Sequence, residues 1–199
     1  MNRWKRKVED VAEAVRAADG ECVVLIGAGC SRSAGIPLAG ELIREVEKAF
    51  PASHRRASDP RNYNKVMAEL NTMQRRQLLN RHIDAARINW AHLALAQLFV
   101  REKIDRILTV NFDPLVVRAC ALVGLFPAIY DLATAESFRK AHIAPRSVFY
   151  LNGQHTGFVT LNTEEELEQH RGRLRDIVRN TGTHRPWIVV GYSGEADPL

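Results

Sequence analysis

The sequence predicts an α/β fold, a doubly wound parallel sheet carrying a helical insertion. Three observations lead there. An apolar run from Cys22 to Ile26 ends in a glycine turn that leads toward a helix. Short strand-like runs alternate with stretches of helical periodicity along the chain. Four of the strand-like runs end in glycine or polar side chains. A run dominated by Val, Leu and Ile suits a strand buried on both faces, as the central strands of a parallel sheet are.

The elements follow in order. Trp4, Val8, Val11 and Val15 recur at helical spacing and predict a helix over 4–18 lying against the sheet. After the glycine turn, 38–50 reads as a helix with Leu42, Ile43 and Val46 inward, ended by Pro51. The stretch 52–62 is polar and reads as loop, whereas 63–88 supplies arginine-rich helical segments with Val66, Leu70 and Met73 on one stripe. Residues 51–89 are therefore expected to form a helical insertion beside the glycine turn, a candidate lid. A helix is expected at 90–100, a strand at 106–110 running into Asn111-Phe-Asp-Pro, and a helix at 115–123 started by Pro114 with Asp113 as its cap. The runs 128–130 and 147–151 look like strands, with 158–161 extending or pairing with the second. Thr163 and Glu166 form a capping box for a helix reaching about Arg179, and 187–190 is the last strand, ending in Gly191-Tyr-Ser-Gly. There is no internal repeat. The chain reads as one domain over 1–199, and its stop just past a strand end reads as a fragment or one piece of a larger protein.

Composition narrows the class. With 199 residues, 46% hydrophobic and 26% charged, the chain has the make-up of an ordinary soluble globule. No apolar run approaches the roughly 18–20 residues of a membrane span, and 1–10 is polar with no secretory apolar region behind it. A cytoplasmic location and no membrane partner are expected. Cys22, Cys30 and Cys120 share no C-x-x-C spacing, so neither a disulfide framework nor a zinc site is expected, and the first two read as core residues. A net charge of +5 and a pI of about 9.4 allow a polyanionic partner without requiring one. The arginine clusters at 54–61, 75–87 and 171–185 read as solvated helix faces, because acids are interspersed among them.

The glycine turn carries the first chemistry. Gly27 and Gly29 allow the backbone to approach an anionic ligand, whose charge would meet N–H groups at the following helix. Ser31 can cap that helix or offer its hydroxyl to the ligand. A plain strand-turn-helix junction that needs glycine for geometry alone is the competing reading. No lysine stands between Gly27 and Glu47, which disfavours a P-loop. Arg32 stands where a dinucleotide fingerprint has its third glycine, and the acids Glu41, Glu45 and Glu47 fall in a predicted helix rather than at a second strand end.

Ligands in open α/β sheets bind outside the carboxyl ends of the strands. Here those ends are Gly27–Gly35, Asn111 with Asp113, Asn152–His155 and Gly191–Ser193. An amide at the end of a buried strand needs partners, and Asn111 can serve ribose hydroxyls or a water as donor and acceptor. Asp113 reads equally as a helix cap or as a ligand contact. His155, in the turn 152–157, can act as a base near neutral pH. The other histidines fall on predicted helices or in polar loops and read as solvated.

Gly27 through Pro37 resembles the opening motif of the sirtuin family, Gly-Ala-Gly-x-Ser-x-x-x-Gly-Ile-Pro. Thr109-Val-Asn-Phe-Asp113 is similar to the strand-end motif of sirtuin-like NAD-hydrolysing domains, and Gly191-Tyr-Ser193 stands where sirtuins have Gly-Thr-Ser. The match spans 22–199 in order. The resemblance implies a Rossmann-like, sirtuin-type sheet that takes NAD as substrate. Gly27, Ala28, Gly29, Ser31, Gly35, Ile36, Pro37, Asn111, Asp113, Gly191 and Ser193 would hold it, and Asn111 and His155 would be catalytic. It also implies an anti-phage effector of bacteria that works as a homo-oligomer or with a fused or partner regulatory protein, through which a nucleic acid could act. Three departures argue against lysine deacetylation. The chain lacks a four-cysteine zinc module, Leu38-Ala-Gly40 replaces Asp-Phe-Arg, and Asn152-Gly153 replaces His-Gly, with a histidine only at 155. Hydrolysis of NAD+ needs less: nicotinamide leaves as a neutral amine without a general acid, and the site must hold the pyrophosphate, stabilise an oxocarbenium-like ribose and direct a water. A non-catalytic NAD or ADP-ribose sensor and an ADP-ribosyltransferase are the alternatives.

Overall fold

The structure, a computed structural model, describes residues 8–135 and 142–194. Five parallel strands make one sheet in the order β3-β4-β2-β1-β5: β1 Cys22–Ile26, β2 Ile104–Thr109, β3 Ala128–Asp131, β4 Ser147–Tyr150 and β5 Trp187–Val190. The helices are α1 Val8–Ala17, α2 Ala28–Ser31, α3 Ala39–Ala49, α4 Pro51–Arg56, α5 Tyr63–Ala68, α6 Thr72–Ala85, α7 Trp90–Val100, α8 Leu115–Leu122 and α9 Glu164–Gly182. This is an α/β, Rossmann-like architecture, as the sequence predicts.

The strand period of two decides what packs where. Cys22, Val24 and Ile26 face one side, against Leu95, Ala96 and Phe99 of α7 and Val116, Ala119 and Cys120 of α8. Val23 and Leu25 face the other, in a core with Leu108, Phe149 and Leu174 and Ile177 of α9. Every residue of β1 is buried. Each such aliphatic side chain removed from water contributes about 1.5–3 kcal/mol, so the two cores dominate the stability of the sheet.

A third core lies outside the sheet. Leu42 and Val46 of α3 pack with Val66, Met67 and Leu70 from the α5 region and with Leu78, Leu79 and Ile83 of α6. These helices are pinned to the far side of the domain. The Tyr63 hydroxyl donates to Asn162 Oδ1 at 3.1 Å, Arg75 pairs with Glu166 at 2.8 Å, and Arg76 Nη2 donates to the Gly157 carbonyl at 2.6 Å. Arg75 and Arg76 therefore tie segments together instead of lying on a solvated face.

Several expectations are corrected. Pro51 opens α4 instead of ending structure, because proline at the first helical position gives up only an N–H that has no intrahelical partner; about half of the expected loop 52–62 is thus helical. Met73 is 76% exposed, since the break between α5 and α6 resets the helical phase after Leu70. In α1 no residue is buried, Val8 and Val11 are exposed, and Val15 alone of that stripe packs on the sheet core; Trp4 lies outside the described residues. The stretch 158–161 is not a strand, although Leu161 N–H donates to the Asn152 carbonyl.

The first and last strands meet at their glycine turns. Gly27 N–H donates to the Val190 carbonyl at 3.0 Å and Gly29 N–H to the Gly191 carbonyl at 2.9 Å. A Cβ on Gly29 would sit 2.8 Å from Gly191 Cα, and one on Gly191, whose φ is +63°, would sit 2.2 Å from the Cys30 nitrogen. Gly191→Ala combines that clash with an unfavourable left-handed φ. It is expected to cost about 2 kcal/mol or more, read as a lower denaturation midpoint; an unchanged midpoint would contradict this close approach.

Candidate functional site

At the carboxyl ends of β1 and β2 a hydrogen-bond network joins three elements. Ser31, fully buried at the end of α2, donates its hydroxyl hydrogen to Asp113 Oδ2 at 2.9 Å. Its oxygen lies 3.2 Å from Asn111 Nδ2 and 3.2 Å from His92 Nε2. Asn111 Nδ2 also donates to the Gly27 carbonyl at 3.1 Å. Both amide hydrogens are thus committed, and Asn111 Oδ1 is left as a free acceptor among the described residues. Asp113 keeps its capping task too, since Oδ1 accepts from Leu115 N–H at 3.0 Å. The Tyr150 hydroxyl donates to the Asp113 carbonyl at 3.1 Å, and burial pushes that phenol's pKa up.

His92 was not legible as a site residue, and the expectation that it is solvated is overturned: its exposure is 0%. It is the third residue of α7 and accepts Asn89 N–H on Nδ1 at 3.3 Å, while Asn89 Oδ1 caps His92 N–H. With Nδ1 an acceptor, Nε2 carries the hydrogen and donates to Ser31. Burial lowers the His92 pKa, with the Asp113 charge pulling the other way, so the ring is neutral. The capping-box spacing Asn89-x-x-His92 is the signal that could have placed it.

Above this network lies a cavity of about 130 Å³. Ala28, Asn111, Phe112 and Asp113 line it from the strand ends, Ile36 and Pro37 from the glycine-turn segment, and Asn152, Leu161 and Leu167 from the β4 side. The helical wall contributes Leu42, Tyr63, Leu79, His82 and Ile83. His82, also expected to be solvated, is therefore a cavity residue. Whole-ligand pockets run to roughly 300–1,000 Å³, so this space suits one ring-sized group with the remainder of a ligand outside.

The residues expected from the sequence are distributed unevenly. Ala28, Ile36, Pro37, Asn111 and Asp113 line the cavity, with Ser31 directly beneath. Gly27 and Gly29 have their N–H groups engaged by β5 and its turn, so glycine there serves the meeting of two strand ends. Gly35, at φ +99°, turns the chain after a short helical turn over 32–34. Gly191 packs on Gly29 and Cys30, and Ser193 is exposed; neither is among the cavity-lining residues. His155 is not among them either: its backbone N–H donates to the Phe112 carbonyl, and its buried Nδ1 has no partner among the described residues. Burial, with Asp113 nearby, raises the Cys30 thiol to about 11, which makes it a poor nucleophile at neutral pH.

No family model matches the sequence, and no curated protein matches it. Among solved structures the chain is similar to a Sir2 mutant described with a p53 peptide and NAD. The TM-score is 0.39 and the identity 18%, over 84% of this chain and 56% of that one. The chain thus spans little more than half the length of that structure's chain. The fold class stands on the strand order and parallel registers given above. Among the described residues, no helix is long and apolar enough to cross a membrane and no cluster of three or more His, Cys, Asp or Glu is placed to hold a metal.

The depressed His92 pKa has a pH signature. Above the ordinary value of 6.5 the ring is neutral folded or unfolded. As pH falls below it, the unfolded chain takes up a proton that the folded chain refuses, so stability drops toward the lower, folded pKa. His92→Gln keeps a donor for Ser31 without a titrating group. Between about pH 7 and pH 5 its denaturation midpoint is expected to fall less than that of the wild type; parallel curves would show that His92 is not the group refusing the proton.

Proposed function

We propose that this chain is an NAD+ glycohydrolase that cleaves NAD+ to nicotinamide and ADP-ribose. The observation that carries the reading is Asn111. It stands at the end of β2 within the sirtuin-like motif, with both amide hydrogens held by Gly27 and Ser31 and its Oδ1 available on the cavity wall. A fixed acceptor in that place suits a ribose hydroxyl or the attacking water, which is positioning of the kind that catalysis rewards. The cavity would take the nicotinamide ring, whose flat apolar faces match walls such as Ile36, Leu79 and Phe112. The adenosine diphosphate portion would lie outside, toward the glycine turn and Ser193.

The reaction asks little of the protein. The glycosidic C–N bond breaks with its electron pair going to the nicotinamide nitrogen, the water oxygen bonds to the ribose carbon, and one proton must be removed from that water. Asp113, the formal negative charge closest to Asn111 in the network, favours positive charge developing on the ribose. Use of this activity as a defence effector, oligomeric or held inactive by a partner until triggered, belongs to the same proposal and rests on the motif resemblance.

A second reading has its own support. Asn152, not histidine, lines the cavity at the His-Gly position, and His155 is not among the lining residues. A sensor that binds NAD or ADP-ribose without chemistry is compatible with both facts. Chromatography of nicotinamide and ADP-ribose after incubation with NAD+ separates the two. Wild-type protein is expected to release both products and Asn111→Ala to lose at least about 100-fold in kcat with its fold intact. Saturable binding without product would favour the sensor, and unchanged turnover by Asn111→Ala would remove Asn111 from the mechanism.

A further inference from the structure

His82 of the helical cavity wall is paired with Glu45 of an outer groove, and the strand-end motifs contain neither group. His82 Nε2 lies 2.8 Å from Glu45 Oε2, with side-chain exposures of 24% and 29%. Helical spacing explains why His82 is there: Leu79, His82 and Ile83 fall at i, i+3 and i+4 on α6, and all three line the cavity. Glu45 comes from α3 and is held a second time by Arg81. Burial works against the Glu45 carboxylate, yet the hydrogen bonds and charges of His82 and Arg81 together keep its pKa below the ordinary value. An ionised Glu45 accepts the Nε2 hydrogen, which leaves Nδ1 of a neutral His82 as a lone-pair base with no protein partner among the described residues.

His82 also stands at the boundary between inside and outside. Together with Ile36 and Pro37 it belongs both to the cavity and to an outer groove lined by Arg32, Glu41, Arg44, Glu45 and Lys48. A base at a cavity mouth can deliver its proton to solvent. Among the cavity-lining side chains, His82 is the one imidazole.

We propose that His82, oriented by Glu45, is the acid–base group of this cavity: it takes the proton from the water that attacks the ribose, while Glu45 acts as a positioning residue. This rests on the glycohydrolase reading. In balance, the water O–H bond breaks to His82, the water oxygen bonds to the ribose carbon, nicotinamide leaves neutral with the electron pair of the broken bond, and His82 returns its proton to solvent through the mouth. The charged or titratable groups around His82 are Glu45, Arg44 and Lys48 from α3, Arg81 from α6, Arg32 and Glu41 of the groove, and Tyr63 and Asp113 of the cavity lining.

The test uses the full chain with NAD+ in two measurements. In the first, kcat is followed against pH for wild type, His82→Gln and Glu45→Gln, with NAD+ affinity from calorimetry. His82→Gln is expected to lower kcat about 100-fold or more while affinity changes less than about threefold. Glu45→Gln is expected to lower kcat less than His82→Gln does, with NAD+ affinity changed less than about threefold, and Glu45→Asp to recover part of the loss. Wild-type kcat in His82→Gln or in Glu45→Gln would overturn the proposal. In the second, the imidazole resonances of His82 are followed by NMR as nicotinamide is added. A shift lost in His82→Gln spectra supports ligand contact, and no shift at saturation overturns it. Absence of wild-type turnover would refute the glycohydrolase reading and with it the base role, even where the nicotinamide-induced shift is present.

Discussion

The hydroxyl of Ser31 is the interaction on which the site depends. One buried oxygen receives hydrogens from His92 and Asn111 and gives its own to Asp113, so α7, the β2 exit and the β1 turn are fixed by a single atom. The directions are mutually enforced. Asn89 N–H makes His92 Nδ1 an acceptor, which makes Nε2 a donor, which leaves the serine hydrogen for the carboxylate. The Gly27 carbonyl then demands the amide side of Asn111. A network in which every member has one workable orientation behaves as a rigid floor, because turning any member leaves a buried polar group without a partner at a cost of about 1–3 kcal/mol.

The central strand is legible because burial on both faces writes itself into sequence as an unbroken apolar run, as in Cys22–Ile26, whereas the edge strand Trp187–Val190 is apolar yet only partly buried. The exceptions are places where local pattern and tertiary use diverge. Val8 and Val11 have helical spacing but lie outside the cores, so periodicity found the helix and missed its burial. Pro51 marks the end of one helix in the sequence and opens the next in the structure. In the candidate site, Asn111 and Asp113 are legible because ligands in open α/β sheets bind at strand ends, whereas the strand-end glycines serve the meeting of β1 with β5. His92 and His82 are not legible, since each acquires meaning from a partner distant in sequence: Ser31 for one, Glu45 for the other. A helical histidine looks solvated until the element packed against it is known.

The described residues divide into a floor and a wall. The floor is sheet and loop, dense with hydrogen bonds and almost without freedom. The wall is built from α3, α5 and α6 around its own apolar core, and Tyr63, Arg75 and Arg76 anchor it to the 157–166 segment. In the proposed reading, selection of a ligand by shape would fall to the wall and recognition by hydrogen bond to the floor. The three arginine clusters then need no common role, since two members of one cluster are structural clasps.

The meeting of the Gly27–Gly29 turn with Gly191 has a consequence for how the molecule comes into being. A ribosome releases β1 early and β5 late, yet the turn after β1 acquires its two anchoring hydrogen bonds only from the residues that end β5. Until then the turn beside Ser31 and Asn111 has only the bonds that Asn89, Asn111 and its own backbone supply. Pairing between β1 and β5 makes the shaping of this turn one of the slow, long-range steps. Such an order of events ties the shaping of the β1 turn to the synthesis of β5.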